Sequence, residues 1–107
     1  MKYKVQIISD AEDDLFDIFR YVAENDSLTR DEIPLDKLEE AILSLDELPH
    51  RGHIPAELKR VAVFDYLEIH YKPYRIIYQI ISKRVYVHCV LDGRRDLEEI
   101  LRNRLLR

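Results

Sequence analysis

The spacing of apolar residues changes near residue 60, recurring every three or four positions before it and every second position after it. Lys4-Val-Gln-Ile-Ile-Ser9 predicts a short strand, and Ser9 with Glu12 forms a capping-box signal for a helix to Ala23 or Glu24. Ala11, Leu15, Ile18, Phe19 and Val22 share one side of that helix. Glu12, Asp13, Asp14 and Asp17 crowd its first two turns, where acids complement the positive end of the helix dipole. Asn25-Asp-Ser breaks the pattern. Leu35, Leu38, Ala41, Ile42, Leu45 and Leu48 then restore it up to Pro49, which completes a helical hairpin. Thr29 and Glu32 offer an earlier cap, but Pro34 would remove a backbone donor inside such a helix, so the second helix starts near Pro34 or kinks there. His50 to Ala56, with Gly52 and Pro55, reads as a loop.

Alternation predicts strands at Arg60 to Phe64, Tyr66 to Lys72, Tyr74 to Ile81 and Arg84 to Leu91. Pro73 cannot donate to a ladder and belongs at a bend, bulge or edge, which leaves Ser82-Lys83 as the tighter hairpin tip. A last helix runs from Arg94 or Arg95 to Leu105. One sheet face collects Leu67, Ile69, Tyr71, Tyr74, Ile76, Tyr78, Ile80, Val85, Val87, Cys89 and Leu91 and is apolar enough to hold the hairpin. The other presents Glu68, His70, Lys72, Arg75, Gln79, Tyr86 and His88, too polar for a second core and expected to stay open. The expected fold is α+β: an N-terminal strand and helical hairpin packed on an antiparallel sheet, with a short C-terminal helix.

With 107 residues, 47% hydrophobic, the chain suits a single domain spanning 1–107 that buries a core without disulfide or metal. One cysteine closes no intrachain bridge. No apolar run approaches the roughly 20 residues of a membrane span, and no signal-peptide core follows Met1-Lys-Tyr-Lys. These features lead us to expect a soluble cytoplasmic protein, with no membrane partner. The net charge of −4 conceals an asymmetry: residues 1–50 hold five Lys/Arg against fourteen Asp/Glu, whereas residues 51–107 hold twelve against seven. Charges of −9 and +5 direct any anionic partner to the C-terminal half.

Ribonuclease chemistry by 2′-hydroxyl attack needs a proton acceptor, a proton donor and cations facing the phosphorane. His70, Lys72, Arg75, Tyr86, His88, Arg94 and Arg95 are residue types that meet those needs. The structural alternative is that Arg75 and Arg94 neutralise acids on the last helix or in a partner, and that His88 simply occupies a half-exposed strand position. His50 and His53, three apart in a loop, with His70 and His88 on strands, make a weak metal signal, and neither metal nor cofactor is expected. Cys89 falls on the apolar side of its strand, where a thiol packs as a small hydrophobe. Gly93 suits a positive dihedral in a tight turn, Asp92 suits a helix cap, and Arg94-Arg95 would then be displayed beside the open face.

Lys72-Pro-Tyr-Arg-Ile-Ile-Tyr78 and Gly93-Arg-Arg-Asp96, with Leu38-Glu-Glu-Ala-Ile and Leu48-Pro-His-Arg-Gly-His, resemble the ParE/RelE superfamily of toxins from type II toxin–antitoxin systems. The resemblance covers nearly the whole chain. It implies a toxin neutralised by a cognate antitoxin, forming a homodimer or a toxin–antitoxin heterotetramer. RelE-like members cut mRNA on the ribosome, whereas ParE-like members inhibit DNA gyrase and are not enzymes. A pI near 5.5 suits work inside a ribosome poorly, so the ParE branch is favoured. On that branch Lys72, Arg75, Tyr86, Arg94, Arg95, Leu97 and Leu101 are target or antitoxin contacts. On the RelE branch Arg75, Tyr86, His88, Arg94 and Arg95 are catalytic candidates. Leu67 stands where the family commonly has arginine, and Pro34 where its second helix runs uninterrupted, so an attenuated toxin acting mainly as an antitoxin-binding module is a third reading.

Overall fold

A computed structural model describes residues 2–24 and 35–106; Thr29, Glu32, Pro34 and the Asn25-Asp-Ser break lie outside them. Strands Lys4–Ile7 (β1), Leu67–Tyr71 (β2), Tyr74–Ile81 (β3) and Arg84–Asp92 (β4) form one sheet in the order β1-β4-β3-β2. β2, β3 and β4 are the expected antiparallel meander, but β1 lies parallel to β4, with Val5 beside Val85 and Ile7 beside Val87. The sheet is therefore mixed, within the expected α+β class. Both hairpins turn in two residues, so Ser82-Lys83, with Ser82 at φ 57°, is no tighter than Lys72-Pro73.

Helices Ser9–Glu24 (α1) and Leu35–Leu43 (α2) cover one sheet face. Ala11, Leu15, Val22, Leu38 and Ile42, with Leu45 just beyond α2, pack against Tyr74, Ile76, Tyr78, Val85, Val87 and Val90. The second helix stops short of the expected Leu48, passing into a 3₁₀ turn at Ser44–Asp46. Leu48 is exposed at φ 51°, ahead of a further 3₁₀ turn at Pro49–Arg51. The Arg51 guanidinium donates to the carbonyls of Ser44, Glu47 and Leu48 and so ties the two 3₁₀ turns together.

A β-bulge decides which residues face the other side. Ile77 pairs with Cys89 but Tyr78 pairs with Val87, so His88 is an extra residue in β4. Beyond it the alternation reverses: Val90 joins the hairpin side, and Cys89 and Leu91, expected there, turn away. With Ile77 they meet Leu58, Leu97 and Leu101 in a second core. The face expected to stay open is thus partly covered.

Its cover comes from two pieces. Arg60 to Phe64 is not a strand; a short helix, Ala56–Lys59 (α3), buries Leu58 and ends in a turn with Ala62 at φ 59°. The final helix, Glu98–Leu105 (α4), starts later than expected, and the Asp96 carboxylate accepts the Glu98 N–H at 3.1 Å. β1 ends opposite Val87, which leaves the outer edge of β4 without a strand partner from His88 onward. Asp14 of α1 accepts the Val90 N–H at 3.0 Å, and Arg104 of α4 donates to the His88 carbonyl at 2.7 Å. The two side chains also pair at 3.0 Å, tying the helices of opposite faces around that edge. Among the described residues no helix is long and apolar enough to cross a membrane.

Candidate functional site

The polar part of the second face is organised around Arg75 on β3. Its guanidinium donates to Glu57 of α3 at 2.7 and 2.8 Å and to Glu68 of β2 at 2.6 and 3.1 Å. Glu68 is 3% exposed, since β2 carries it under the 49–55 segment. The Arg75 guanidinium holds the Glu57 carboxyl well below its usual range, at about 2, and the two acids in turn hold the Arg75 charge on. Arg75 therefore has the structural role that was one of its two expected readings, with partners on α3 and β2 rather than on the last helix. Glu57 escaped sequence reasoning because it lies just past a segment read as loop; alternation did place Glu68 on the face of Arg75.

The Gly93-Arg94-Arg95 corner is built differently from expectation. Gly93 has no positive φ. A Cβ there would stand 3.0 and 3.1 Å from the Arg75 side chain and 3.1 Å from the Pro73 carbonyl, so close approach is what requires glycine. Asp92 does not cap the last helix. It accepts the Arg94 backbone N–H at 2.9 Å and the Arg94 guanidinium at 2.7 and 3.0 Å, and these bonds lower its pKa. The Gly93 N–H donates to the Pro73 carbonyl at 2.7 Å, joining the Lys72-Pro73 turn to the arginine corner.

Two depressions flank the corner. One of about 330 Å³ is lined by His70, Lys72, Pro73, Tyr74, Arg75, Gly93 and Arg94. The other, about 400 Å³, lies between α1 and β4, with Asp14, Asp17, Tyr21 and Tyr74 opposite Arg94 and Arg95. Lys72, Arg75 and Arg94 are thus brought together, and Arg95 is next to them. Tyr86 and His88 are not part of that group. Tyr86 pairs with Gln79 and Arg75 with Leu91, a separation along the sheet of roughly 15 Å at the rise of a strand.

His88 contacts the Gln79 side chain at 3.2 Å and stacks edge-on with Tyr66, and burial pushes its pKa down. Cys89 is fully buried, which pushes its thiol up to about 12, in keeping with an inert packing role. Leu97 and Leu101, expected as contact residues, are buried in the second core and offer a partner no surface while α4 is docked. His50 lies edge-on to Tyr3, and His53 pairs with His70 rather than with His50.

The family model for the ParE toxin of type II toxin–antitoxin systems matches residues 5–97. The chain belongs to the ParE toxin family. A solved structure with a similar fold is the toxin–antitoxin complex RelBE2 from Mycobacterium tuberculosis, with a TM-score of 0.60, 19% identity, and coverage of 86% of this chain and 92% of that one. Likeness at that identity concerns the fold. No curated protein shows a significant sequence match. In this ParE-family chain the two motifs that carried the sequence resemblance meet in space, through the Gly93 to Pro73 hydrogen bond. Leu67 sits opposite Tyr78 and packs against the hairpin core.

Proposed function

We propose that this toxin inhibits DNA gyrase without being an enzyme, and that a cognate antitoxin neutralises it. The observation that carries this reading is the division of the candidate groups. A phosphoryl cleavage site needs its proton-transfer groups within hydrogen-bond reach of the atoms that its cations stabilise. Tyr86 stands at one end of the sheet face and Lys72, Arg75 and Arg94 at the other, while His88 sits at the bulge in the middle of β4 with its ring on Gln79 and Tyr66. Arg75 also spends its donors on Glu57 and Glu68, leaving little for a phosphate. The acidic N-terminal half adds repulsion toward RNA. Arg94 and Arg95, both exposed on the corner, are the preferred target or antitoxin contacts.

The test is induced expression without antitoxin, following DNA and protein synthesis in one culture, with purified toxin added to a gyrase supercoiling assay. DNA synthesis falling first, together with blocked supercoiling, is the expected result. Protein synthesis falling first, with A-site cuts in translated messages, would replace this reading with a ribosome-dependent endoribonuclease. Antitoxin binding without growth arrest would make the chain an attenuated toxin, and Leu67→Arg would then be the variant to test for restored toxicity. Exchanging Arg94 and Arg95 for alanine should weaken toxicity and lower the thermal unfolding midpoint by no more than about 5 °C, since exposed substitutions of this kind cost about 0.5 kcal/mol or less each.

A further inference from the structure

The backbone brings two histidines and a carboxylate to one spot that their sequence spacing does not suggest. His53 and Glu68 exchange both backbone hydrogen bonds, at 3.1 and 2.7 Å, as an isolated antiparallel bridge. Residues paired in this way send their side chains to the same side, and His70, two positions along β2, joins them. His53 Nε2 lies 3.1 Å from one Glu68 oxygen and His70 Nε2 lies 3.4 Å from the other. One ligand atom from each of the three residues lies within 4.8 Å of the other two.

We infer that His53, Glu68 and His70 form a binding site for a divalent transition-metal ion of the zinc class. Two imidazoles and one carboxylate are a ligand set that zinc accepts, with the remaining position left to water. A carboxylate has about four acceptor positions. Arg75 fills two on Glu68, which leaves the outward pair facing the imidazoles. Arg75 thereby acts as the outer partner that fixes a metal ligand in place. Charge favours the same conclusion: one guanidinium stands between two carboxylates, Glu57 and Glu68. The cluster keeps a negative charge that a bound cation would offset. Only the imidazoles must rotate to close the site, and both are free to do so, with side chains 63% and 48% exposed. Occupancy would staple the 49–55 segment onto β2, the outer strand of the sheet.

The experiment is calorimetric titration of untagged protein with zinc sulfate, alongside thermal unfolding in zinc and in EDTA. Wild type should bind one equivalent and unfold at a higher temperature in zinc. His53→Ala and His70→Ala should each weaken binding about tenfold or more, and the double variant should lose the zinc-dependent rise. His50→Ala, outside the cluster, should bind as wild type does. Zinc binding by the double variant as tight as by wild type would overturn the proposal, as would loss of binding on His50→Ala. Because both imidazoles are exposed, the unfolding midpoint in EDTA should be nearly the same in every variant, which separates lost ligation from lost fold.

Discussion

The two faces of the sheet are held by different physics. Under α1 and α2 lies a continuous apolar core that includes the fully buried Tyr78, whose hydroxyl donates to the Pro49 carbonyl at 2.6 Å. Under α3 and α4 a smaller apolar cluster adjoins the Glu57-Arg75-Glu68 ion cluster. Apolar burial is non-directional and roughly proportional to area, so it degrades gradually when a methyl group is lost. A desolvated ion cluster is all or nothing, because removing one member strands the others. The second face should therefore be the brittle one, although it buries fewer side chains.

The largest effect expected is from Arg75→Met. Glu57 and Glu68 would face each other with no cation between them, a situation that costs about 3–5 kcal/mol at neutral pH. Denaturant unfolding should show that loss at pH 7 and a partial recovery as the pH falls and the carboxyls protonate. A loss under 1 kcal/mol would mean that the cluster contributes little and that the contrast between the faces is wrong. The same reasoning makes Arg75 a poor probe of toxicity, since a variant that unfolds is inactive whatever its role.

How much of this was legible from the sequence depends on whether the signal is local. α1 was expected from Ser9 to Ala23 or Glu24 and β3 from Tyr74 to Ile81, and both are found, because a regular period runs unbroken along each. The bulge at His88 was not legible. An inserted residue leaves both flanking runs alternating, and only the pairing with β3 reveals that the second run has changed sides. Arg60 to Phe64 shows the opposite failure: Val61 and Val63 alternate well enough for a strand, but burial of Leu58 and the turn at Ala62 decide the segment. For the candidate site, alternation put Glu68, His70 and Arg75 on one face, yet gave no hint that Glu57 and His53 would be folded over it. Those contacts span 18 and 15 residues of sequence and depend on where the 49–59 segment lands.

A middle-sized effect should appear on the acid side of the stability profile. The folded Glu57 carboxyl sits at about 2 against an ordinary value of 4.5, so its contribution is present above 4.5 and is lost as the pH falls through that interval toward 2. The shift corresponds to about 2–3 kcal/mol once the partial exposure of the group is discounted. Unfolding free energies of wild type and Glu57→Gln, measured from pH 6 to pH 2.5, should differ most at pH 6 and converge toward the acid end. Parallel profiles would show that Glu57 is not what Arg75 holds ionised.

The smallest effect belongs to the apolar face and tests the comparison from its other side. Ile42 is fully buried on α2 among Leu38, Leu45 and the sheet residues of the hairpin core. Ile42→Val removes one methyl group, keeps the branched Cβ and its rotamer, and leaves no polar atom unsatisfied. The expected cost is about 1 kcal/mol, the lost transfer energy plus a small cavity term that neighbouring leucines partly fill. The same unfolding experiment measures it against Arg75→Met. If the valine variant lost as much as the methionine one, the hairpin core would be as intolerant as the ion cluster, and tight packing on both faces would describe the molecule better than a gradual face opposed to a brittle one.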